Sequence, residues 1–391
     1  MSFVSFNQKE LSKILGVCNS VSPKRSEVDI FTMTKLVINK DGVVTFLVIS
    51  SSVYYAVSKK SIKPDVQEDL AFLVNTDLFS SAVNLIGDDV VGLDVNLEKT
   101  SLVIIGVKSK HTLRINLQNV EEFNIPAQNA EESEYEIEVD KMDFLEANRV
   151  AVTSVGNPRV VSQPEFLSVC LHVDSTKDYK QMVMVSTDRF RMSQTNLGVK
   201  LINSKEDLTG ENYLVDPKSL SLLAVCDIED EKIIINFEKN FMWVHFDSAK
   251  MAFRYREGKF PDWKKILPSS FSCSFKLNVV ELIMALKQVY FSARTNAINK
   301  TVTIEVKPKN NEIVFVAKTE DGNSSESSLE LANYEGVEED WKQSFNADYL
   351  IDYVSTITTE LVLWEANPGK PSVLSPNEAK EKQLCLVSGL R

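Results

Sequence analysis

The sequence offers few side chains whose types and spacing suit catalysis or metal binding. The three histidines (His111, His172 and His245) fall in three different segments that read as strands, so we interpret them as surface or strand residues. Acidic pairs at 121–122 and 338–339 read as solvated loop charge rather than as acid–base groups. Glycine-rich phosphate-binding patterns and the H-E-x-x-H zinc pattern do not occur in the sequence. We therefore predict that the protein is not an enzyme and has no catalytic residue, metal site or cofactor.

Two stretches are better candidates for a binding site. Residues 182–192 (MVMVSTDRFRM) predict an apolar strand that ends near Thr187 and turns into a basic and aromatic segment. Residues 260–268 (FPDWKKILP) place two prolines around an aromatic and basic segment, which cannot be a regular helix throughout. For each stretch taken singly, a plain turn or an interdomain connector is an equally good interpretation.

A repeated set of helix starts surrounds these stretches. An apolar residue, a capping residue, an acid three positions later and another apolar residue recur in residues 6–11, 139–144 and 277–282. The caps of this set, at spacings of 133 and 138 residues, are Asn7, Asp140 and Asn278. The caps of a second set, at spacings of 141 and 130 residues, are Asn75, Asp216 and Asn346. Two independent landmarks therefore predict a threefold repeat with a period of about 135 residues.

Between the helix starts, the sequence favours β-strands. Residues 35–49 predict a hairpin with Asp41-Gly42 at its turn. Further strand segments rich in Val, Ile and Phe lie at 101–107, 111–117, 167–173, 182–186, 232–237, 242–246, 301–306, 312–317, 360–363 and 383–387. Residues 318–328 and 367–382 read as exposed loops. Each repeat is thus predicted to be an α+β domain with antiparallel sheets, and the boundaries give domains at 1–127, 128–268 and 269–391.

Composition agrees with several domains of ordinary globular character. The 391 residues are 43% hydrophobic and 25% charged, and the net charge of −12 argues against a protein coated in nucleic acid, although a local basic surface stays compatible with it. The five cysteines lie far apart in apolar runs, which favours reduced core residues and a reducing compartment. We expect no signal peptide and no membrane span, and hence a cytoplasmic location.

The order of these motifs resembles the β sliding clamps, the processivity subunits of bacterial DNA polymerase III. The family pattern A-T-D-G-H-R-L corresponds to residues 186–192, F-P-D-Y-x-x-[VL]-L-P to residues 260–268, and F-N-x-x-Y-L-x-D to residues 345–352. A Y-x-G pattern precedes the last motif at Tyr334, and the resemblance covers the whole chain. Arg189 and Phe190 stand where the family has Gly and His. The chain also ends LVSGLR where the family usually ends M-P-M-R-L, which favours a divergent or phage-encoded member.

The resemblance implies three repeated DNA-clamp domains, each with two helices packed on antiparallel sheets. Two chains would close head to tail into a homodimeric ring around double-stranded DNA, bound without sequence preference. The first domain of one subunit would pair with the third domain of the other. The nearest matches to the family's dimer interface are His111, Leu113, Ala293 and Arg294.

Basic side chains on or just after the helices are the candidates for DNA contact. Aligning the repeats places Arg149 and Lys287 at equivalent helix positions. Phosphate contacts need only such side chains and carry no sequence information. The predicted DNA-facing residues are Lys9, Lys13, Lys24, Arg25, Lys141, Arg149, Arg159, Lys218, Lys287 and Arg294. For any single lysine, an ordinary solvated charge is an equally good interpretation.

In the family, a DNA polymerase, a clamp loader and other partners insert a short linear peptide into an apolar pocket. The matching positions are Phe166, Thr187, Arg189, Phe190, Met192, Pro268, Leu386, Val387 and Arg391. Arg189 in place of glycine is expected to narrow or charge this pocket and to change the peptide preference. Two other functions stay open here: a three-domain scaffold that binds protein without encircling DNA, and a hydrolase or transferase with an interdomain site.

Overall fold

The computed structural model describes residues 2–96, 98, 100–118, 123, 126, 133–176, 179–204, 209–226, 230–246, 248–295, 300–319 and 321–390. The chain forms two compact units, each assembled from separate segments. Unit 1 comprises Met1–Met142, Val199–Asp207 and Lys218–Tyr255. Unit 2 comprises Asp143–Gly198, Leu208–Pro217 and Arg256–Arg391. The three-domain division predicted from the repeat stays a prediction.

The described residues contain six α-helices, which begin at the six predicted caps. They are α1 (Gln8–Val21), α2 (Thr76–Leu85), α3 (Lys141–Ala151), α4 (Pro217–Ser221), α5 (Val279–Ala293) and α6 (Ala347–Val354). The Oδ1 atoms of Asn7 and Asn278 each accept two backbone N–H groups of the first helical turn. Asn75 and Asn346 each accept one. These side chains satisfy N–H groups that have no partner within a helix, which fixes where each helix begins.

Twenty-six strands lie in the described residues. The first thirteen are β1 (Ser2–Asn7), β2 (Met33–Ile38), β3 (Val43–Ile49), β4 (Val53–Lys60), β5 (Leu70–Asn75), β6 (Val90–Asn96), β7 (Ser101–Gly106), β8 (Thr112–Asn116), β9 (Ser133–Asp140), β10 (Val169–Thr176), β11 (Tyr179–Thr187), β12 (Arg191–Gly198) and β13 (Lys200–Ser204). The others are β14 (Thr209–Val215), β15 (Lys232–Glu238), β16 (Phe241–Phe246), β17 (Ala249–Arg254), β18 (Cys273–Asn278), β19 (Thr301–Lys307), β20 (Glu312–Lys318), β21 (Ser324–Glu330), β22 (Ala332–Gly336), β23 (Trp341–Asn346), β24 (Leu361–Ala366), β25 (Ser372–Pro376) and β26 (Gln383–Val387).

Each unit contains one nine-stranded and one four-stranded antiparallel sheet. In unit 1 the strand orders are β5-β2-β3-β4-β17-β16-β15-β9-β13 and β1-β6-β7-β8. In unit 2 they are β14-β10-β11-β12-β26-β25-β24-β18-β22 and β21-β20-β19-β23. In each long sheet, three strands that follow one another along the chain lie side by side, and the next strand in the sheet comes from a distant segment: β2-β3-β4 are followed by β17, and β10-β11-β12 by β26. The two long sheets therefore have equivalent topologies, and the predicted α+β class with antiparallel sheets is confirmed.

Apolar periodicity explains how the helices and strands pack. On α5, Leu282, Leu286 and Val289 recur at helical spacing and are fully buried in the main core of unit 2. Buried and half-buried residues alternate along β19, so that one face of this strand meets the same core. In unit 1, a smaller apolar cluster surrounds Trp243, which is fully buried.

Two sequence predictions about loops are wrong. Residues 318–328 include most of β21, a serine-rich strand that pairs with β20 at the edge of its sheet. Residues 367–382 include β25, which lies between β24 and β26 and is buried throughout. β21 has one apolar residue, Leu329, and β25 has two, Val373 and Leu374, so neither shows a strong strand pattern in the sequence, and the backbone pairing of their neighbours determines their conformation. The predicted 35–49 hairpin is confirmed, with Gly42 at φ 80° in the turn between β2 and β3.

The cysteines behave as core residues. All five are free; Cys18, Cys170, Cys273 and Cys385 are buried, and Cys226 is half-buried. Within the described ranges, no helix is both long and apolar enough to cross a membrane. The part of the chain described here also contains no group of three or more His, Cys, Asp or Glu side chains able to hold a metal ion.

Candidate functional site

The turn between β11 and β12 is held by its own side chains. Thr187 Oγ1 donates to the Arg191 carbonyl at 2.7 Å and accepts the Arg189 N–H at 3.1 Å. Asp188 Oδ1 accepts the N–H groups of Phe190 and Arg191 at 3.0 and 2.9 Å. These bonds hold Arg189 at φ 79°, in the left-handed region that favours glycine. Arg189, one of the two residues that depart from the clamp pattern in this motif, therefore lies where the backbone itself favours glycine.

Arg191 anchors this turn to α6. Its Nε donates to Asp188 Oδ2 at 3.1 Å and its Nη1 donates to Asp352 Oδ2 at 2.8 Å. The guanidinium carbon lies 4.3 Å from the centroid of the Tyr349 ring. Burial by itself would lower the pKa of Arg191, but the hydrogen bond that it donates to Asp352 and the two carboxylate charges outweigh it and raise the pKa. The arginine thus stays charged and joins two segments far apart in the sequence.

The Arg189 side chain covers one wall of the candidate pocket. Its guanidinium carbon lies 4.7 Å from the centroid of the half-buried Phe166 ring, and its Nη2 donates to Gln163 Oε1 at 2.7 Å. Phe190 beside it is 54% exposed. Arg189 therefore hides an aromatic surface, whereas Phe190 offers one to solvent.

The apolar floor of this site comes from β12, β26 and the 260–268 segment. Met192 pairs with Leu386 across the two strands, and both belong to one buried cluster with Phe260 and Trp263. The Ser388 N–H donates to the Phe190 carbonyl at 2.8 Å, which carries the C-terminal segment past the turn. The structure therefore brings together four segments that the sequence singled out separately.

Three of the predicted pocket residues, Val387, Pro268 and Arg391, are not among the described residues of this buried cluster. Val387 is fully buried in the main core of unit 2, which lies on the opposite face of β26 from Leu386. Its side chain is therefore not a wall of the pocket. Pro268 is half-buried at the end of the 260–268 segment. Arg391 lies outside the described residues.

Most of the predicted DNA-facing side chains are exposed. Arg149 is about half-exposed, and its guanidinium donates to the Thr356 carbonyl at 2.6 Å and to the Ser355 carbonyl at 3.4 Å, just past the end of α6. A cation there complements unpaired carbonyls at a helix C-terminus, so Arg149 has a structural partner of its own. Lys24 lies 3.8 Å from an Asp77 carboxylate oxygen, and Lys141 is half-buried. The remaining exposed ones are Lys9, Lys13, Arg25, Arg159, Lys218, Lys287 and Arg294.

Two of the predicted dimer-interface residues lie at β8, and the other two lie at the C-terminal end of α5. His111 precedes β8, the edge strand of the small sheet of unit 1, and is exposed, while Leu113 on β8 is half-buried. Ala293 is fully buried in the core of unit 2, so this prediction needs correction: its face of α5 points inward. Phe291, which is not among the predicted residues, is 65% exposed on α5, and the Arg294 guanidinium carbon lies 4.8 Å from its ring centroid. In the sequence, Phe291 stands out as an aromatic residue on the polar face of α5.

No family model matches the sequence. The chain is 24% identical over 215 residues to the β sliding clamp of Streptococcus pneumoniae and 23% identical over 211 residues to that of Helicobacter pylori. These alignments cover 54% and 53% of each chain, so the chain spans about half the length of the curated relatives it matches.

Solved structures match over the full chain. The DNA polymerase III β subunit of Thermotoga maritima has a TM-score of 0.85 at 19% identity, and the match covers 100% of both chains. The DNA polymerase sliding clamp of Bacillus subtilis has a TM-score of 0.87 at 18% identity and covers 100% of this chain and 99% of that one. The chain therefore has the fold of the DNA polymerase III β subunits, the bacterial sliding clamps.

Proposed function

We propose that this protein is a DNA sliding clamp that encircles double-stranded DNA and tethers a replicative polymerase and other partners. The observation that carries the proposal is the full-length likeness of its fold to clamp structures. The exposed basic side chains associated with the helices agree with it, because contacts to phosphates need charge without a specific pattern. On this proposal the protein is a non-enzymatic processivity factor of the cytoplasm. No observation on the described residues favours the scaffold or hydrolase alternatives.

A topological experiment tests the clamp proposal without a clamp loader. The protein is incubated with a linear plasmid, which a ring can enter from its ends, and the plasmid is then closed by ligase. Gel filtration at about 0.5 M NaCl removes protein held only by phosphate contacts. We expect protein to remain with the closed circle and to be released when a restriction enzyme opens it. Equal loss from circular and linear DNA would refute the clamp proposal.

We propose that two chains close the ring by pairing β8 of one with β21 of the other. Each strand is the edge of a four-stranded sheet, and an edge strand offers unpaired N–H and C=O groups to another chain. The exposed residues at the β8 edge include Lys110 and Arg114, whereas those of β21 include Glu326 and Glu330. Opposite charges on the two edges favour a head-to-tail contact over a contact of like edges.

Charge reversal tests this interface. Glu326→Lys with Glu330→Lys should weaken the dimer at least about tenfold, and adding Lys110→Glu with Arg114→Glu to the same chain should restore it. Light scattering reports the dimer at twice the chain mass of 44.0 kDa. Glu338→Lys with Glu339→Lys, an equal charge change at exposed positions of unit 2, is the control. If the substitutions at 326 and 330 weaken the dimer and the substitutions at 110 and 114 do not restore it, the proposed pairing is wrong.

We propose that partners insert an apolar peptide beside the β11–β12 turn, against the exposed ring of Phe190, with the buried Met192 and Leu386 supporting the floor from beneath. Arg189 limits this site by covering Phe166, which supports the expectation of an altered peptide preference. Such pockets combine apolar walls with a few polar groups that fix orientation. The polymerase and the clamp loader are the partners that this proposal assigns to the site.

Two substitutions at Arg189 separate the effect of its side chain from that of its backbone. Arg189→Ala removes the guanidinium from Phe166 and keeps the unfavourable φ, whereas Arg189→Gly removes both. Both variants should bind an apolar clamp-binding peptide more tightly than the parent in fluorescence polarisation. Arg189→Gly alone should also gain about 1 kcal/mol of unfolding free energy, because glycine tolerates a positive φ. Unchanged peptide affinity in both variants would contradict the role of Arg189 as a cover.

A further inference from the structure

The β3–β4 turn of unit 1 resembles the β11–β12 turn of unit 2 in two of its hydrogen bonds. The Ser50 N–H donates to the Val53 carbonyl at 2.8 Å, as the Asp188 N–H donates to the Arg191 carbonyl at 3.3 Å. Ser50 Oγ accepts the Val53 N–H, as Asp188 Oδ1 accepts the Arg191 N–H. The two turns therefore share these two hydrogen bonds and their position between paired strands, although Arg189 has a positive φ and Ser51 does not.

The surroundings of the two turns correspond as well. The Arg254 N–H donates to the Ser52 carbonyl at 2.9 Å, as the Ser388 N–H donates to the Phe190 carbonyl. Phe31 lies in a short 3₁₀-helix (Asp29–Thr32) before β2, as Phe166 lies in one (Pro164–Leu167) before the equivalent strand β10. The candidate site beside the β11–β12 turn of unit 2 thus has a counterpart within unit 1.

The counterpart encloses a cavity of about 280 Å³, which we call the unit 1 pocket. Its walls include the rings of Phe31, Tyr54 and Phe241, together with Pro126, the serine turn and Arg254. This volume lies just below that of pockets for drug-sized ligands, so it suits two or three residues of a peptide. Ser51 stands at the position of Arg189 and is small and exposed, so this turn carries no arginine that could cover Phe31 as Arg189 covers Phe166.

Arg254 provides the charge of this pocket. It is exposed, its guanidinium carbon lies 5.5 Å from the Phe241 ring centroid, and none of the described residues that line the cavity is acidic. A guanidinium above an aromatic wall favours a ligand that carries a carboxylate next to an apolar group.

We propose that the unit 1 pocket is a second peptide-binding site, which takes an apolar or aromatic side chain against Phe31 and Phe241 and a carboxylate on Arg254. This inference rests on the proposed function insofar as the unit 2 site is a peptide site. A chain with two such sites would hold two partner peptides at once, one on each unit.

A labelled peptide tests the proposal. The probe is the tetrapeptide Gly-Ser-Leu-Phe with fluorescein at its N-terminus and a free C-terminal carboxylate, and the same peptide with an amidated C-terminus is its matched control. Fluorescence polarisation with the full chain should show saturable binding, and amidation should weaken it about tenfold through loss of the charge-assisted contact. Arg254→Met should weaken the free-acid peptide by the same factor and leave the amidated peptide unchanged.

Two further variants separate the sites. Ser51→Arg places the side chain of unit 2 on the equivalent turn and should abolish binding to the unit 1 pocket, whereas Lys63→Met, at an exposed lysine of unit 1 outside the pocket, should not. Absence of saturable binding up to about 1 mM peptide, or binding insensitive to both Ser51→Arg and Arg254→Met, overturns the proposal. Failure of the DNA-trapping experiment would refute the clamp proposal alone, since the peptide experiment uses no DNA.

Discussion

Replacement of Arg191 by methionine should destabilise unit 2 strongly. The substitution keeps most of the buried aliphatic stem and removes the guanidinium that joins Asp188 and Asp352. The side chains of Arg191 and Asp188 are each only 10% exposed, whereas Asp352 is 47% exposed. Removal of one partner from a buried pair leaves the other charge buried without compensation, which costs about 3–5 kcal/mol.

The two ion pairs should contribute unequally. The pair with Asp352 is half in solvent, so its share is about 1 kcal/mol or less. For a unit of roughly 200 residues, each kcal/mol shifts the melting temperature by about 2–4 °C, so Arg191→Met should lower it by about 6–20 °C. Asp352→Asn, which breaks only the exposed pair, should lower it by no more than about 4 °C. Differential scanning calorimetry measures both shifts.

A double substitution tests whether the orphaned carboxylate is the cause. Asp188→Asn removes the charge and keeps the Oδ1 atom that accepts the N–H groups of Phe190 and Arg191. If the cost arises from a buried charge, Arg191→Met should be less destabilising in the Asp188→Asn background than alone. The reasoning would be refuted if Arg191→Met cost no more than Asp352→Asn, or if the two substitutions at 188 and 191 simply added.

Three further predictions concern a helix cap, an acidic side chain and a thiol. Asn278→Ala should cost about 1 kcal/mol in urea unfolding, whereas Asn278→Asp, which can still cap α5, should cost less. The N–H groups of Ser109 and Lys108 hold the pKa of Asp88 below its usual range. The Asp88 carboxylate therefore stabilises the turn at Lys108 and Ser109 fully above the ordinary carboxyl pKa, and this stability is lost as the pH falls through the lowered pKa of Asp88. In that pH range, hydrogen exchange at the amides of Ser109 and Lys108 should become faster than at other surface amides. Burial raises the pKa of the Cys226 thiol to about 12, so iodoacetamide at neutral pH should label it slowly until the chain is unfolded, and rapid native labelling would contradict this.

The helix starts could be predicted from the sequence because a cap acts within three or four residues. Asn7, Asn278 and Asn346 determine local hydrogen bonds whatever the rest of the chain does, and their spacing revealed the repeat. The hairpin at Asp41-Gly42 is equally local. The motif at 186–192 could be located for the same reason, as a strand followed by a turn.

The partners of that motif could not be predicted in the same way. Arg191 bonds Asp352 across 161 residues of sequence, and Arg149 bonds Thr356 across 207. Many carboxylates and carbonyls lie at such separations, and only the folded core determines which of them comes close. The inward side chain of Ala293 and the exposed ring of Phe291 likewise depend on the rotation of α5 against its sheet.

The sequence by itself determined where helices and turns begin, that the helix starts repeat, and which segments are the candidates for a binding site. The tertiary structure alone decided that β21 and β25 are strands, that Arg189 covers Phe166, and that Ser51 leaves the equivalent cavity of unit 1 open. The physical reason is range: caps and turns are stabilised by neighbours in the chain, whereas sheet pairing and pocket walls depend on segments that meet only after long loops have closed.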